Sequence, residues 1–171
     1  GQRVFSYAVR YSNNGSTNPQ VNYAATALTP NRIGGLSFEA VYVTPAHTEI
    51  HSTINLRVPG RHNVQNALAA FAVAHQMNLS VEAACEALSE FRGTGRRFEV
   101  RGEINRITII DDYAHHPTEI RATLSAARMR YPRNRLWVVW QPHTYSRTRL
   151  LFHEFVTAFE QADHVLVTEV Y

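Results

Sequence analysis

The 171-residue chain contains no lysine: all 17 of its basic residues are arginine. That absence excludes a P-loop lysine reaching a nucleotide's terminal phosphates, a lysine Schiff base and a lysine general base. Whatever the chain grips through positive charge, it grips with guanidinium groups. Cysteine is nearly missing as well. Cys85 stands alone, so no disulfide framework can form. A reducing cytoplasm is the expected home, and Cys85 reads as a small core residue. No apolar run approaches the ~20 residues of a membrane span, and no signal-peptide pattern opens the chain, so no membrane partner is expected. A basic tract is also lacking. The arginines are scattered and the formal charge is only +3, which argues against a nucleic-acid partner.

What is present suffices for a packed core: 44% of residues are hydrophobic, with eight Tyr, eight Phe and two Trp. The length suits one ordinary domain or two unequal pieces. Gly1 opens the chain directly in a strand-like pattern, and a piece of a longer protein is the expectation.

Two textures follow one another. Residues 1–58 hold four alternating Thr/Val/Tyr-rich runs, at Val4–Tyr11, Val21–Leu28, Leu36–Val43 and Glu49–Val58. Asn/Gly/Ser/Pro punctuation separates them, so this half reads as antiparallel sheet. After Pro59-Gly60 the pattern turns helical, with an Ala-rich helix over Val64–His75 and a Ser80-capped helix over Val81–Phe91. Strands are expected at Phe98–Glu103 and Ile107–Asp111 around an Asn105 turn. A helix should start at Pro117 and run to about Arg130. Leu136–Trp140 and His164–Thr168 read as strands buried on both faces, joined by a helix near Thr148–Ala162. Strand–helix–strand alternation over Ile107–Thr168 predicts an α/β fold, a mainly parallel sheet with flanking helices, preceded by a small antiparallel β segment. The boundary is expected between residues 1–58 and 59–171.

Ligands bind beyond the carboxyl ends of parallel strands, and two expected strands end in polar clusters. One is Asp111-Asp112-Tyr113-Ala114-His115-His116-Pro117. The other is Gln141-Pro142-His143-Thr144-Tyr145-Ser146-Arg147-Thr148-Arg149. If the strands are neighbours, both loops share a rim. Asp111 or Asp112 could instead cap its own loop, and His116 could be the N-cap of the next helix. A zinc site from His115, His143 and a carboxylate is conceivable, but no ligand spacing supports one. Arginines at a helix start are mildly unfavourable unless an anion is gripped there. Asn63 and Asn66 lie three apart at a helix start. Their amides offer the donor and acceptor that an adenine edge requires, but on spacing alone Asn63 reads as the helix cap. A fourth cluster, Gly93-Thr94-Gly95-Arg96-Arg97-Phe98-Glu99, offers two arginines on a glycine-loosened loop, which suits phosphate.

Together the four clusters resemble the Mur ligase family. The stretches that carry the resemblance are Pro59-Gly60-Arg61-His62-Asn63-x-x-Asn66-Ala67-Leu68-Ala69-Ala70, Arg96-Arg97-Phe98-Glu99, Asp111 to Ile120, and Gln141 to Arg149, in the family's order. Residues 1–58 match only loosely. The resemblance implies the β-rich tail of a central ATPase domain over 1–58 and a Rossmann-like C-terminal domain over 59–171, possibly truncated. The family's P-loop and remaining domains would lie elsewhere in the full-length chain. It further implies cytoplasmic, ATP-dependent amide bond formation in peptidoglycan synthesis, with Mg2+ held mainly by residues outside this chain and no metal ligand within it.

By resemblance, Asn63 and Asn66 read adenine, Arg97 approaches the ATP phosphates on domain closure, and Asp112 holds the ribose hydroxyls. Tyr113, His115, His143 and Arg147 line the incoming amino-acid site. Arg97 and His115 are the catalytic candidates. The Gln141–Arg149 loop is similar to that of members joining L-alanine to UDP-N-acetylmuramate. Thr144 departs from members with arginine there, which leaves Arg147 with more of the carboxylate recognition. The alternatives are the family's recycling ligase, which attaches a tripeptide to the same nucleotide sugar, and a stand-alone nucleotide-binding module without catalysis.

Overall fold

The computed structural model describes residues 4–9, 21–43 and 49–171. It divides into two compact units, Gly1–Arg92 and Gly93–Tyr171.

In the first unit, β1 (Tyr7–Val9), β2 (Tyr23–Pro30), β3 (Leu36–Val43) and β4 (Glu49–Asn55) form one sheet in that order. The β2–β3 and β3–β4 pairs are antiparallel, as expected, but β1 lies parallel to β2. Thirteen residues (10–22) separate these two strands, enough chain for a return in the same direction, whereas β2 and β3 are joined by a short turn. Residues 10 and 11 of the expected first strand lie outside the described residues. Asn31 organises the β2–β3 turn: its Oδ1 accepts from the Ile33 and Gly35 amides, and its Nδ2 donates to the Leu56 carbonyl at 2.8 Å. A Cβ on Gly35 would meet the Leu56 oxygen at 2.1 Å, so only glycine fits there.

The helix α1 (Arg61–Gln76) buries Val64, Ala67, Leu68, Phe71 and Ala72, a stripe at helical spacing. That stripe packs on the sheet, and α2 (Val81–Glu90) packs on α1 and β4. Ser80 caps α2 as expected, its Oγ accepting from the Ala83 amide at 3.2 Å. Both helices therefore belong to the first unit, and the chain divides between Arg92 and Gly93 rather than after residue 58. Burial of the α1 stripe sets that boundary, because the sheet it covers is made of β1 to β4. Near the end of α1 the buried Tyr23 hydroxyl meets His75 Nδ1 at 2.9 Å and accepts from Gln76 Nε2 at 2.6 Å. Burial pushes the Tyr23 phenol above its usual pKa, against the opposing hydrogen bond from Gln76.

In the second unit, β5 (Glu99–Ile104) and β6 (Ile107–Asp111) form an antiparallel hairpin. Its two-residue turn places Asn105 and Arg106 at φ 50° and 64°, the primed geometry that fits strand twist. The helix α3 (Pro117–Arg130) starts at the expected proline. Strand β7 (Trp137–Trp140) pairs in parallel with β8 (His164–Val167). The single helix expected between them is broken at Leu151 into α4 (Tyr145–Leu150) and α5 (Phe152–Ala158). This is the α/β arrangement expected, with the parallel pair joined through helices. Among the described residues no ladder joins the β5–β6 hairpin to the β7–β8 pair.

Helix α3 bridges the two pairs through its core contacts. Ile120 and Leu124 near its start pack with Phe155 and Ala158, against Ala114, Val138 and Trp140. Ala126 and Ala127 near its end pack with Phe98, against Ile110 and Leu136. Residues 110 and 136 thus share one end of α3 and residues 114 and 140 the other, so β6 and β7 run the same way beneath it. Their polar loops leave at the same end. The expectation that β7 and β8 are buried on both faces is corrected: Trp137 and Val139 remain 61% and 71% exposed. Packing against α3 and α5 covers the Val138/Trp140 face only.

Candidate functional site

The loop after β6 is held by its own carboxylates. Asp112 Oδ2 accepts from the Phe98 amide at 2.8 Å, and its Oδ1 accepts from the Ala114 amide at 2.7 Å. The Tyr113 amide donates to the Arg96 carbonyl at 2.8 Å. Two of these bonds, Phe98 to Asp112 and Tyr113 to Arg96, fasten the arginine-bearing turn to the end of β6, and the third closes the loop on itself. Within that turn Arg96 and Phe98 adopt left-handed φ values of 57° and 50°. The Arg96 guanidinium lies 4.8 Å from the centre of the Tyr113 ring, with its Nε 3.5 Å from Asp111. Tyr113 in turn meets the His115 ring edge to face at 5.3 Å.

The α3 N-terminus is a capping box of the kind the sequence allowed. His116 Nδ1 accepts from the Thr118 amide at 3.3 Å, and Glu119 Oε2 accepts from the His115 and His116 amides at 3.0 and 3.2 Å. His115 Nδ1 lies 3.0 Å from the Tyr113 carbonyl, an acceptor, so Nδ1 donates in this contact. Arg97 Nη1 stands 3.8 Å from Glu119 Oε1. Burial alone would raise the Glu119 pKa. The His115 amide and imidazole, the His116 amide and the Arg97 charge outweigh it and hold the carboxyl below its usual range.

The second loop is organised differently. The Tyr171 amide donates to Pro142 at 2.9 Å, and the Thr144 amide donates to Tyr171 at 3.3 Å. The His143 ring stacks on Tyr171 at 5.9 Å. Thr144 sits at φ 72°, a strained value for a β-branched residue. Arg147 lies half-buried in the first turn of α4. On the flank of α4 and α5, Tyr145, Thr148, Arg149, Phe152, His153 and Val170 line an open cavity of about 500 Å³.

The structure gathers Arg97, Asp112, Tyr113 and His115 into one cluster. It places His143 on the loop after β7 and Arg147 in α4 that follows it, with no hydrogen bond, ion pair or ring contact to that cluster among the described residues. Asn63 and Asn66 belong to the first unit. Asn63 is not the cap of α1: that position is Gly60, at φ 95°. Asn63 Nδ2 instead donates to the Pro59 carbonyl at 2.7 Å, which leaves Oδ1 and one amide hydrogen for a ligand. Among the described residues no three His, Cys, Asp or Glu side chains gather as a metal site. Sequence reasoning passed over Glu119, although its place three residues after His116 spells the capping box. The sequence offered Arg96 and Arg97 alike for phosphate, and the structure separates them by setting Arg96 against Tyr113 and Asp111.

Residues 96–170, which hold both loops, match the family described as "Mur ligase, glutamate ligase domain". The chain belongs to the Mur ligase family. It is 47% identical over 157 residues to the UDP-N-acetylmuramate–L-alanine ligase of Lachnospira eligens, covering 92% of this chain and 33% of that protein. The crystal structure of UDP-N-acetylmuramate-alanine ligase from Thermotoga maritima superposes with a TM-score of 0.72 at 34% identity, covering 89% of this chain and 33% of that one. A murein peptide ligase from Psychrobacter arcticus gives 0.60 at 30% identity, covering 94% of this chain and 31% of that one. The chain thus spans about one third of the length of these Mur ligases. Its Mur ligase match begins at Arg96, close to the structural division after Arg92.

Proposed function

We propose that the complete protein is a cytoplasmic, ATP-dependent ligase that joins L-alanine to UDP-N-acetylmuramate in peptidoglycan synthesis. The observation that carries this reading is the fastened cluster of Arg97, Asp112, Tyr113 and His115 within a chain 47% identical to such a ligase. Residues up to Arg92 are read as the tail of the central ATPase domain, and the rest as the C-terminal domain.

The chemistry follows from the residue types. ATP phosphorylates the muramate carboxylate to an acyl phosphate, releasing ADP. The amine of L-alanine then attacks the acyl carbon, and phosphate leaves with the bonding electrons. Such a reaction is accelerated by positioning and by stabilising charge on the transferring phosphoryl group. Arg97 supplies positive charge to the phosphates, and Asp112 offers its remaining lone pairs to the ribose hydroxyls. Asn63 and Asn66 present amide edges to adenine. Arg147 pairs bidentately with the alanine carboxylate, beside His143 and Tyr113. His115, with Nδ1 donating to the Tyr113 carbonyl, can in its neutral form take a proton from the attacking amine at Nε2. Mg2+ would accompany ATP. By the family resemblance its ligands are expected mainly in other parts of the complete protein.

A recycling ligase that adds a tripeptide is the second reading, favoured by the likeness to the murein peptide ligase. The Gln141–Arg149 loop supports alanine instead. The test is phosphate release by the full-length protein with ATP, Mg2+ and UDP-N-acetylmuramate, which should require L-alanine. Release that is independent of L-alanine would overturn the proposal.

A further inference from the structure

We propose that Glu119 is a positioning residue that holds Arg97 in reserve and yields it to the nucleotide phosphates. The inference rests on the nucleotide-binding part of the reading above. The two oxygens of the Glu119 carboxylate are used differently. Oε2 takes both the His115 and the His116 amides, which pins the carboxylate to the start of α3. Helix capping needs nothing more. Oε1 is thereby aimed outward, where it faces Arg97 Nη1 at 3.8 Å. Asp111, the other carboxylate on this loop with an arginine partner, pairs with Arg96 instead. The two neighbouring arginines are thus assigned to two different carboxylates.

The strength of the pair suits release. At 3.8 Å, with the side chains 52% and 36% exposed, the Arg97–Glu119 pair is the weak, solvent-screened kind. A triphosphate carries several negative charges and acceptor oxygens that match the guanidinium fork, so it takes Arg97 from a single carboxylate oxygen. Glu119 stays where it is, because the helix amides hold its other oxygen. ATP therefore binds against a modest competitor, and removing the charge on Glu119 strengthens ATP binding through Arg97.

The experiment is calorimetric titration of the full-length protein with ATP, without UDP-N-acetylmuramate or L-alanine, so that no turnover occurs. It is run on wild type, Glu119→Gln, Arg97→Ala and the double variant. Glutamine still completes a capping box but loses the stabilising charge, so Glu119→Gln is expected to fold with a slightly lower Tm. That variant should bind ATP about threefold more tightly, the scale of one exposed ion pair. In the Arg97→Ala background the same substitution should have no effect. Adenosine, which lacks phosphates, should bind all four proteins alike. Unchanged or weakened ATP binding by Glu119→Gln would overturn the proposal, as would equal tightening without Arg97. A wild type that binds ATP but does not ligate L-alanine would sink the substrate assignment and leave this test intact. A wild type that binds no ATP would overturn both.

Discussion

Asp112 and Phe98, fourteen residues apart, are joined by a 2.8 Å hydrogen bond from the Phe98 amide to Asp112 Oδ2. With the Asp112–Ala114 bond it makes one carboxylate the fastener of the whole cluster. Hydrogen bonds to a charged acceptor are worth about 1.5–3 kcal/mol each. Replacing Asp112 with alanine removes both bonds and should therefore destabilise the second unit by at least about 3 kcal/mol and speed amide hydrogen exchange at Phe98 and Ala114. On the proposed function, it should also raise the KM of the full-length protein for ATP. Unchanged exchange at both amides would show that the carboxylate does not fasten the turn.

The hairpin turn carries a removable cost. Asn105 and Arg106 both have positive φ, and arginine tolerates that region poorly. Arg106→Gly gives the asparagine–glycine pair preferred in such turns and should stabilise the protein by about 0.5–1 kcal/mol, read as a higher urea midpoint.

Thr144 tests strain in the second loop. At φ 72° and ψ 126° a β-branched residue is held where glycine is at ease. Thr144→Gly should raise stability by about 1 kcal/mol, the relief of strain exceeding the added chain entropy. A loss of stability would mean that the side chain contributes more than its backbone costs.

Glu119 also sets an acid dependence. Its carboxyl is held below the usual glutamate value of about 4.3, so the folded state binds that proton less readily than the unfolded chain. Its contribution is fully present above the unfolded value and is lost as pH falls through the lower folded value. Glu119→Gln should flatten the decline of stability on the acid side of about pH 4.3, measured by urea unfolding at several pH values. An identical acid slope in the variant would remove Glu119 from the account.

Local signals were legible where local physics decides. The 64, 67, 68, 71, 72 stripe, the Ser80 cap and Pro117 at a helix start all announce their elements. Long-range pairing was not legible. The direction of β1 depends on a long connection, and the side on which α1 packs moved the boundary from residue 58 to Arg92. The burial of β7 and β8 was overread, because their apolar runs do not tell which neighbours cover them. At the site, the nature of Arg97, Asp112 and His115 as candidates was readable from the motifs. That an aspartate caps its own loop, as Asp112 does with Ala114, was readable too, but the reach of Asp112 to Phe98 and the pairing of Glu119 with Arg97 were not, since each joins residues far apart in sequence.

The most direct test of the proposed function is Arg147→Ala in the full-length protein, assayed for the KM of L-alanine and of ATP by phosphate release. The account predicts a KM for L-alanine raised at least tenfold, the scale of a lost charged bidentate pair, with the KM for ATP unchanged. An unchanged KM for L-alanine beside a raised KM for ATP would contradict it.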